Sequence, residues 1–203
     1  MRIGVYGGSF NPVHVGHLIM AEQCREQARL DEIWFVPSAR HPLKTDYPPA
    51  EFHHRVEMLR LAIDDQPNYR IETLENDRPG LSYTADTLDE LQRQNPKAEF
   101  FLILGSDTLP EFPRWHEPRR IIERATLLVM ERHPWPVVDA EALRQSLALP
   151  NEVPLRMQRV NVPLIDLAST DIRRRIAEGR SVRFMLPRIV EDYVRDKGLY
   201  SKS

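Results

Sequence analysis

Gly4-Val5-Tyr6-Gly7-Gly8-Ser9-Phe10-Asn11-Pro12-Val13-His14-Val15-Gly16-His17 is the stretch that decides how this chain folds. Arg2 to Tyr6 is a short, mainly apolar run of the kind a buried strand uses. Gly7 and Gly8 then permit positive φ and let backbone N–H groups come close to a ligand. Asn11-Pro12 marks a turn, and from Val13 onward Leu18, Ala21, Cys24 and Ala28 recur at helical spacing. Strand, glycine turn and helix N-terminus follow one another. That order presents N–H groups and the positive end of a helix dipole to an anion.

His14 and His17 fall in the first turn of this helix, with both rings on one side of the anion site. A helix N-terminus disfavours a protonated imidazole, so two histidines there suit a site whose anion offsets the dipole. A single histidine would read as a cap or a packed side chain. The pair, around Gly16 and after a double glycine, points to phosphate. Gly16 is expected to clear room for a ligand against the helix. The glycines fit neither G-x-G-x-x-G nor G-x-x-x-x-G-K-[ST]. A zinc site of the H-E-x-x-H kind is disfavoured too, because the spacing is shorter and no glutamate intervenes.

The chain has 203 residues, 41% of them apolar and 29% charged, which fits one globular domain spanning 1–203. Its 28 basic residues face 30 acidic ones, so there is no global nucleic-acid footprint. Cys24, the single cysteine, excludes an internal disulfide, fits a reducing compartment and lies on the apolar stripe of the first helix. The first residues lack a signal-peptide pattern, and no apolar run approaches the roughly 20 residues of a membrane helix. A cytoplasmic protein is the expectation.

Further along, Glu32 to Pro37 reads as a second strand, followed by a polar loop, Ser38 to Pro49, with Arg40, His41 and Lys44. A long loop directly after a strand in an α/β chain usually faces ligand. Phe52 to Ile63 is amphipathic with Val56, Leu59 and Ile63 on one face, and adjacent His53 and His54 are expected to point apart. Tyr69 to Glu72 makes a third strand, Glu75 to Gly80 a polar turn, and Ser82-Tyr83-Thr84 starts a helix to Gln94, where a hydroxyl serves as cap or as ligand contact.

Phe100 to Leu104 is the strongest buried strand and ends in Gly105-Ser106-Asp107. A carboxylate there either accepts from ribose hydroxyls or caps the next helix. Trp115, beside Pro113 in a polar loop, either stacks on an aromatic ligand or packs on that proline. Ala125 to Met130 is the fifth strand, with Arg132 just beyond it. Asp139 to Leu147 reads as a helix, and Asn161 to Ile165 as a sixth strand, interrupted by proline and therefore near an edge.

Ser169-Thr170-Asp171-Ile172-Arg173-Arg174-Arg175 offers a second anion site. Ser169 or Thr170 suits an N-cap, and a capping box would then put Glu or Gln at position 173. Arg173 stands there instead. A cation in a first helical turn costs about 0.3–1 kcal/mol against the dipole, a choice that favours an arriving phosphate. Arg174 and Arg175 read as a solvated face. A final helix runs from Pro187 to Arg195 with Ile189, Val190 and Tyr193 inward.

GGSFNPVHVGH resembles the HxGH signature of the nucleotidyltransferase superfamily, and within it the bacterial nicotinate-mononucleotide adenylyltransferases. Asp166 to Arg173 is similar to the family's I-S-S-T-x-I-R motif, with Ala168 in place of one serine. Ser82-Tyr83-Thr84, Gly105-Ser106-Asp107, Trp115 and the Arg55/Met58 pair resemble family segments as well. The resemblance implies a Rossmann-like, doubly wound α/β fold whose mainly parallel sheet has about five or six strands. It implies adenylyl transfer from ATP to nicotinate mononucleotide, giving deamido-NAD and pyrophosphate by direct attack.

In that reading His14, His17, Lys44 and Arg173 are catalytic. Gly7, Gly8, Ser9, Phe10, Gly105, Asp107, Arg132, Ser169 and Thr170 join His14, His17 and Arg173 on ATP. Ser9, Phe10, Lys44, Thr84 and Trp115 hold nicotinate mononucleotide. Mg²⁺ arrives on ATP, since no carboxylates are spaced to cage it and no protein metal ligand is assigned. The implied partners are these small molecules, not a nucleic acid or a membrane. Alternatives are a sibling such as pantetheine-phosphate adenylyltransferase or a cytidylyltransferase, the same chemistry on nicotinamide mononucleotide, or a regulator that binds nucleotide without turnover.

Overall fold

The computed structural model describes residues 1–39, 50–78, 80–131 and 139–201. Among the described residues, six strands form one wholly parallel sheet: β1 (Arg2–Gly8), β2 (Glu32–Pro37), β3 (Tyr69–Ile71), β4 (Glu99–Gly105), β5 (Ala125–Glu131) and β6 (Met157–Asn161). Their order across the sheet is β3-β2-β1-β4-β5-β6. The helices are α1 (Val15–Gln27), α2 (Phe52–Ile63), α3 (Thr84–Gln94), α4 (Pro118–Arg124), α5 (Ala140–Ser146), α6 (Ser169–Ala177) and α7 (Arg188–Asp196).

The central strands are apolar at almost every position because both faces are covered. In β4, Phe101 and Ile103 join the layer built with α1, α2, α6 and α7, while Phe100, Leu102 and Leu104 join the layer built with α3, α4 and α5. β1 divides the same way: Tyr6 faces the first layer, Ile3 and Val5 the second. Cys24 is fully buried in the first layer, as its place on the α1 stripe predicts.

Several boundaries differ from the sequence reading. β1 continues through both glycines, because Gly7 and Gly8 pair with Val36 and Pro37. β6 is Met157–Asn161 rather than 161–165; it is the edge strand, and only Val160 in it is buried. The buried face of α2 is Arg55, Met58, Leu59 and Ile63, so an arginine sits where Val56 was expected. His53 and His54 do not diverge: their ring centroids are 4.0 Å apart, and His54 Nδ1 lies 2.8 Å from the Tyr193 hydroxyl. On α7, Val190 and Val194 face inward and Ile189 is exposed. No described helix is long and apolar enough to cross a membrane.

Candidate active site

In this strand order the chain reverses direction of growth between β1 and β4, and open α/β sheets bind ligands at that point, outside the carboxyl ends of the strands. The segment after β1 carries Ser9 to His14, and the segment after β4 carries Ser106 and Asp107. Gly105 ends β4, buried and paired with Met130, and the Ser106 N–H donates to the Met130 carbonyl at 2.9 Å. Asp107 is half-buried, and Thr108 rather than Asp107 is the N-cap of the 3₁₀ turn that follows.

The turn after β1 is built differently from its glycine spelling. Neither Gly7 nor Gly8 has positive φ; that conformation falls on Phe10, at 45°. A left-handed phenylalanine is uncommon and needs its surroundings to hold it. Its ring is 1% exposed and meets Tyr6 at 5.6 Å, Phe35 at 5.5 Å and His17 at 5.2 Å, nearly edge-on. Any ligand contact from Phe10 therefore falls to its backbone. Gly7 is exposed, and a Cβ there would meet nothing within 4 Å, so the strand end is open to close approach.

His14 is the N-cap residue of α1, buried at 3% exposure, and His17 is half-buried one turn on. Their rings stack with centroids 3.7 Å apart. The His14 N–H donates to Nδ1 of His17 at 3.2 Å. An accepting Nδ1 puts the proton of the neutral ring on Nε2. Gly16 is required for a reason other than ligand room: its Cβ would lie 3.0 Å from Nδ1 of His14. The missing side chain is replaced by the His14 ring. Part of the helix terminus is satisfied internally, since the Val15 N–H donates to the Met185 carbonyl at 3.0 Å.

The second anion motif reaches the same turn. Ala168, not Ser169 or Thr170, is the N-cap of α6, and no side-chain cap bond forms there. The Ser169 hydroxyl instead donates to the Pro12 carbonyl at 2.9 Å. Arg173 donates from Nη1 to the Asn11 carbonyl at 2.8 Å and from Nη2 to the Thr170 hydroxyl at 3.3 Å. Segments more than 150 residues apart in sequence thus meet within three residues of His14. Arg174 pairs with Asp171 at 2.5 Å on the surface, and Arg175 donates to the Ser181 carbonyl at 2.9 Å.

Thr84 is the first residue of α3 and Tyr83 its N-cap residue. The Tyr83 ring stacks on His116 at 4.2 Å, which brings the α3 N-terminus beside the Trp115 segment. Trp115 is half-buried and leans on Phe112 at 5.3 Å. Behind Thr84, the buried Thr87 hydroxyl donates to Oε1 of buried Glu75 at 2.8 Å and accepts from Arg78 at 2.7 Å.

Comparison with known proteins identifies the family. A family model described as cytidylyltransferase-like matches residues 5–175. A relative from Thermus thermophilus named probable nicotinate-nucleotide adenylyltransferase is 44% identical, over 98% of this chain and 100% of its own. One from Thermomicrobium roseum with the same name is 41% identical, over 98% and 91%. The chain belongs to the nicotinate-nucleotide adenylyltransferase family. It is accordingly a nucleotidyltransferase enzyme. The fold is that of a Plasmodium falciparum nicotinic acid mononucleotide adenylyltransferase solved with NaAD, at a TM-score of 0.79 and 21% identity, covering 98% of this chain and 97% of that one.

Of the residues the adenylyltransferase reading selected, the structure brings Ser9, Phe10, His14, His17, Ser169, Thr170 and Arg173 into one neighbourhood at the end of β1. Thr84 and Trp115 lie on segments joined by the stack of their neighbours Tyr83 and His116. Lys44 and Arg132, like Arg40 and His41, fall outside the described residues. Sequence alone assigns no site role to Arg55, Glu75 or Tyr200. Only Arg55 carried a signal: it stands at helical spacing from Met58 and Leu59, a charge on the inward face of α2.

Proposed function

We propose that this nucleotidyltransferase transfers the adenylyl group of ATP to nicotinate mononucleotide, by in-line attack and without a covalent enzyme intermediate. The observation that carries the proposal is the meeting of the HxGH turn with Ser169 and Arg173 at the switch point between β1 and β4. A phosphate oxygen of the mononucleotide attacks the α-phosphorus of ATP. A new P–O bond forms, the bond to the bridging oxygen breaks, and pyrophosphate leaves. The protein contributes alignment and stabilisation of the charge that develops. His17 donates from Nε2 to the phosphoryl oxygens while Nδ1 is held by the His14 N–H. His14, Ser169, Thr170, Arg173 and Lys44 grip the triphosphate, Asp107 accepts from the ribose, and Gly7, Gly8, Ser9 and Gly105 line the crevice, with Arg132 at its rim.

The acceptor base lies by Thr84 and Trp115. The positive end of α3 at Thr84 then favours a nicotinate carboxylate over the neutral amide. Mg²⁺ enters with ATP, where it neutralises phosphate charge. Among the described residues one cluster has metal-ligand chemistry, Asp86, His116 and Glu117, but both of its carboxylates are already paired with the Arg120 guanidinium, and no role is assigned to it. The proposal takes the chain as a single catalytic domain acting on small molecules in the cytoplasm, a setting that suits the free, buried Cys24.

The test is pyrophosphate release by the purified full chain with ATP and, side by side, the nicotinate and nicotinamide mononucleotides. Release with a higher kcat/KM for the acid form is expected. Release only with another acceptor, such as phosphopantetheine, or none at all, would overturn the proposal.

A further inference from the structure

Three carbonyls of the turn after β1 are held by side chains from distant elements. Ser169 and Arg173 hold those of Pro12 and Asn11 and belong to the anion site. The third donor is different. Arg55 gives Nη1 to the Ser9 carbonyl at 2.9 Å and Nε to the Ala50 carbonyl at 3.1 Å, and it is 2% exposed. The circuit closes through Asn11, whose Oδ1 accepts from the Ala50 N–H at 3.1 Å and from the Tyr200 hydroxyl at 2.7 Å. Asn11 is 4% exposed and Tyr200 is 8% exposed.

This arrangement is costly for a purely structural plug. A buried guanidinium loses its hydration, and an apolar side chain of similar volume often stabilises a core as well or better. Tyr200 also sits at φ 64°, a conformation that a non-glycine residue keeps only where its surroundings over-determine it. Both features converge on the turn that carries His14. Through Ala50 they also fix the residue that directly follows the 40–49 segment with Lys44.

We infer that Arg55 and Tyr200 are positioning residues of the transfer reaction: through Asn11 and Ala50 they hold the Ser9–Val13 turn in the geometry that aims His14 and His17 at phosphate. The inference rests on the adenylyl-transfer reading given above. Neither side chain touches substrate. Both act through the turn.

The test uses the full chain with Tyr200→Phe, which keeps the ring and removes only the hydroxyl. The expected kcat is about tenfold lower, with KM for ATP and mononucleotide changed less than about twofold, because a contact felt mainly in the transition state has been loosened. Backbone amide exchange across residues 9–18, read by mass spectrometry, is expected to quicken about tenfold while β4 is unchanged. Arg55→Lys keeps the charge but loses the fork that reaches both Ser9 and Ala50, and should show the same split. Leu143→Ala, a cavity in α5 on the opposite face of the sheet from the turn, is the control: it lowers Tm without lowering kcat. The inference fails if Tyr200→Phe leaves both kcat and exchange within about twofold of wild type, or if its loss of activity only tracks Tm as in the control. Exchange is read without substrate. If wild type makes no pyrophosphate from nicotinate mononucleotide, the functional reading falls while the exchange result still decides the clasp.

Discussion

The backbone N–H of His14 donates to Nδ1 of His17 across 3.2 Å, and the two rings stack at 3.7 Å. One histidine therefore fixes the tautomer of the other. His17 keeps a donor at Nε2 while neutral, so in the proposed reaction the turn offers a phosphoryl oxygen a hydrogen bond without placing a cation at a helix N-terminus. His17→Ala is expected to lower kcat by about 10²–10⁴ with the fold intact. Pyrophosphate release together with a circular dichroism melt checks this, and near-normal turnover would exclude the role.

Arg173 bridges the two motifs, because its Nη1 holds the Asn11 carbonyl while Nη2 reaches Thr170. Arg173→Ala is expected to weaken both ATP binding and turnover. Loss of one charge-assisted contact corresponds to about tenfold to a hundredfold in kcat/KM for ATP. Titration calorimetry with a non-hydrolysable ATP analogue separates binding from chemistry. Unchanged affinity and rate would dispose of the second anion site.

Glu72 gives a pH signature in stability. Burial raises its pKa above the ordinary 4.5, and the Arg70 guanidinium only partly opposes that. The folded chain therefore holds this proton to higher pH than the unfolded chain does. The contribution of this group is fully present below pH 4.5 and is lost as pH rises through the folded value. Glu72→Gln, which cannot ionise, is expected to raise Tm at pH 7 and to give no advantage at pH 4. Melts of both proteins at the two pH values decide it; a lower Tm for the variant at pH 7 would mean that the Arg70 ion pair outweighs burial.

Cys24 is completely buried, and burial pushes its thiol up to about 12. At pH 8 the native protein then holds on the order of a thousandfold less thiolate than a cysteine of ordinary pKa 9.0 would. Iodoacetamide should leave native Cys24 unmodified over hours and label it within minutes in denaturant. Rapid native labelling would show that the α1 stripe opens.

Much of this fold is legible in the chain. Phe100 to Leu104 and Ala125 to Met130 could only be strands covered on both faces, and such strands need no register signal beyond apolar continuity. Met157–Asn161 is harder, because an edge strand with one buried residue resembles a surface loop and the proline-interrupted run after it looks more apolar. The site was legible in its parts. Sequence singles out Arg173 by a capping-box argument that the structure does not keep: with Ala168 as the N-cap, the third helical position is Asp171, an acid, and what sequence could not show is that Arg173 reaches back to the Asn11 carbonyl. What position 16 needed was invisible, since a glycine that makes room for a ligand and one that makes room for a neighbouring imidazole are spelled alike. Phe10 hid its left-handed backbone behind two glycines that sequence makes the better candidates. Tyr200 left no local trace, because nothing nearby in sequence reveals a hydroxyl that answers to Asn11.

That last bond joins residues 189 positions apart. Closing so large a loop is among the more expensive steps of assembly, and its reward comes only after the intervening strands have paired. A copy whose late segments have not yet docked has its sheet but not its working turn. On the positioning role inferred for Tyr200, catalytic competence is then a report on completed folding of the chain's last segment.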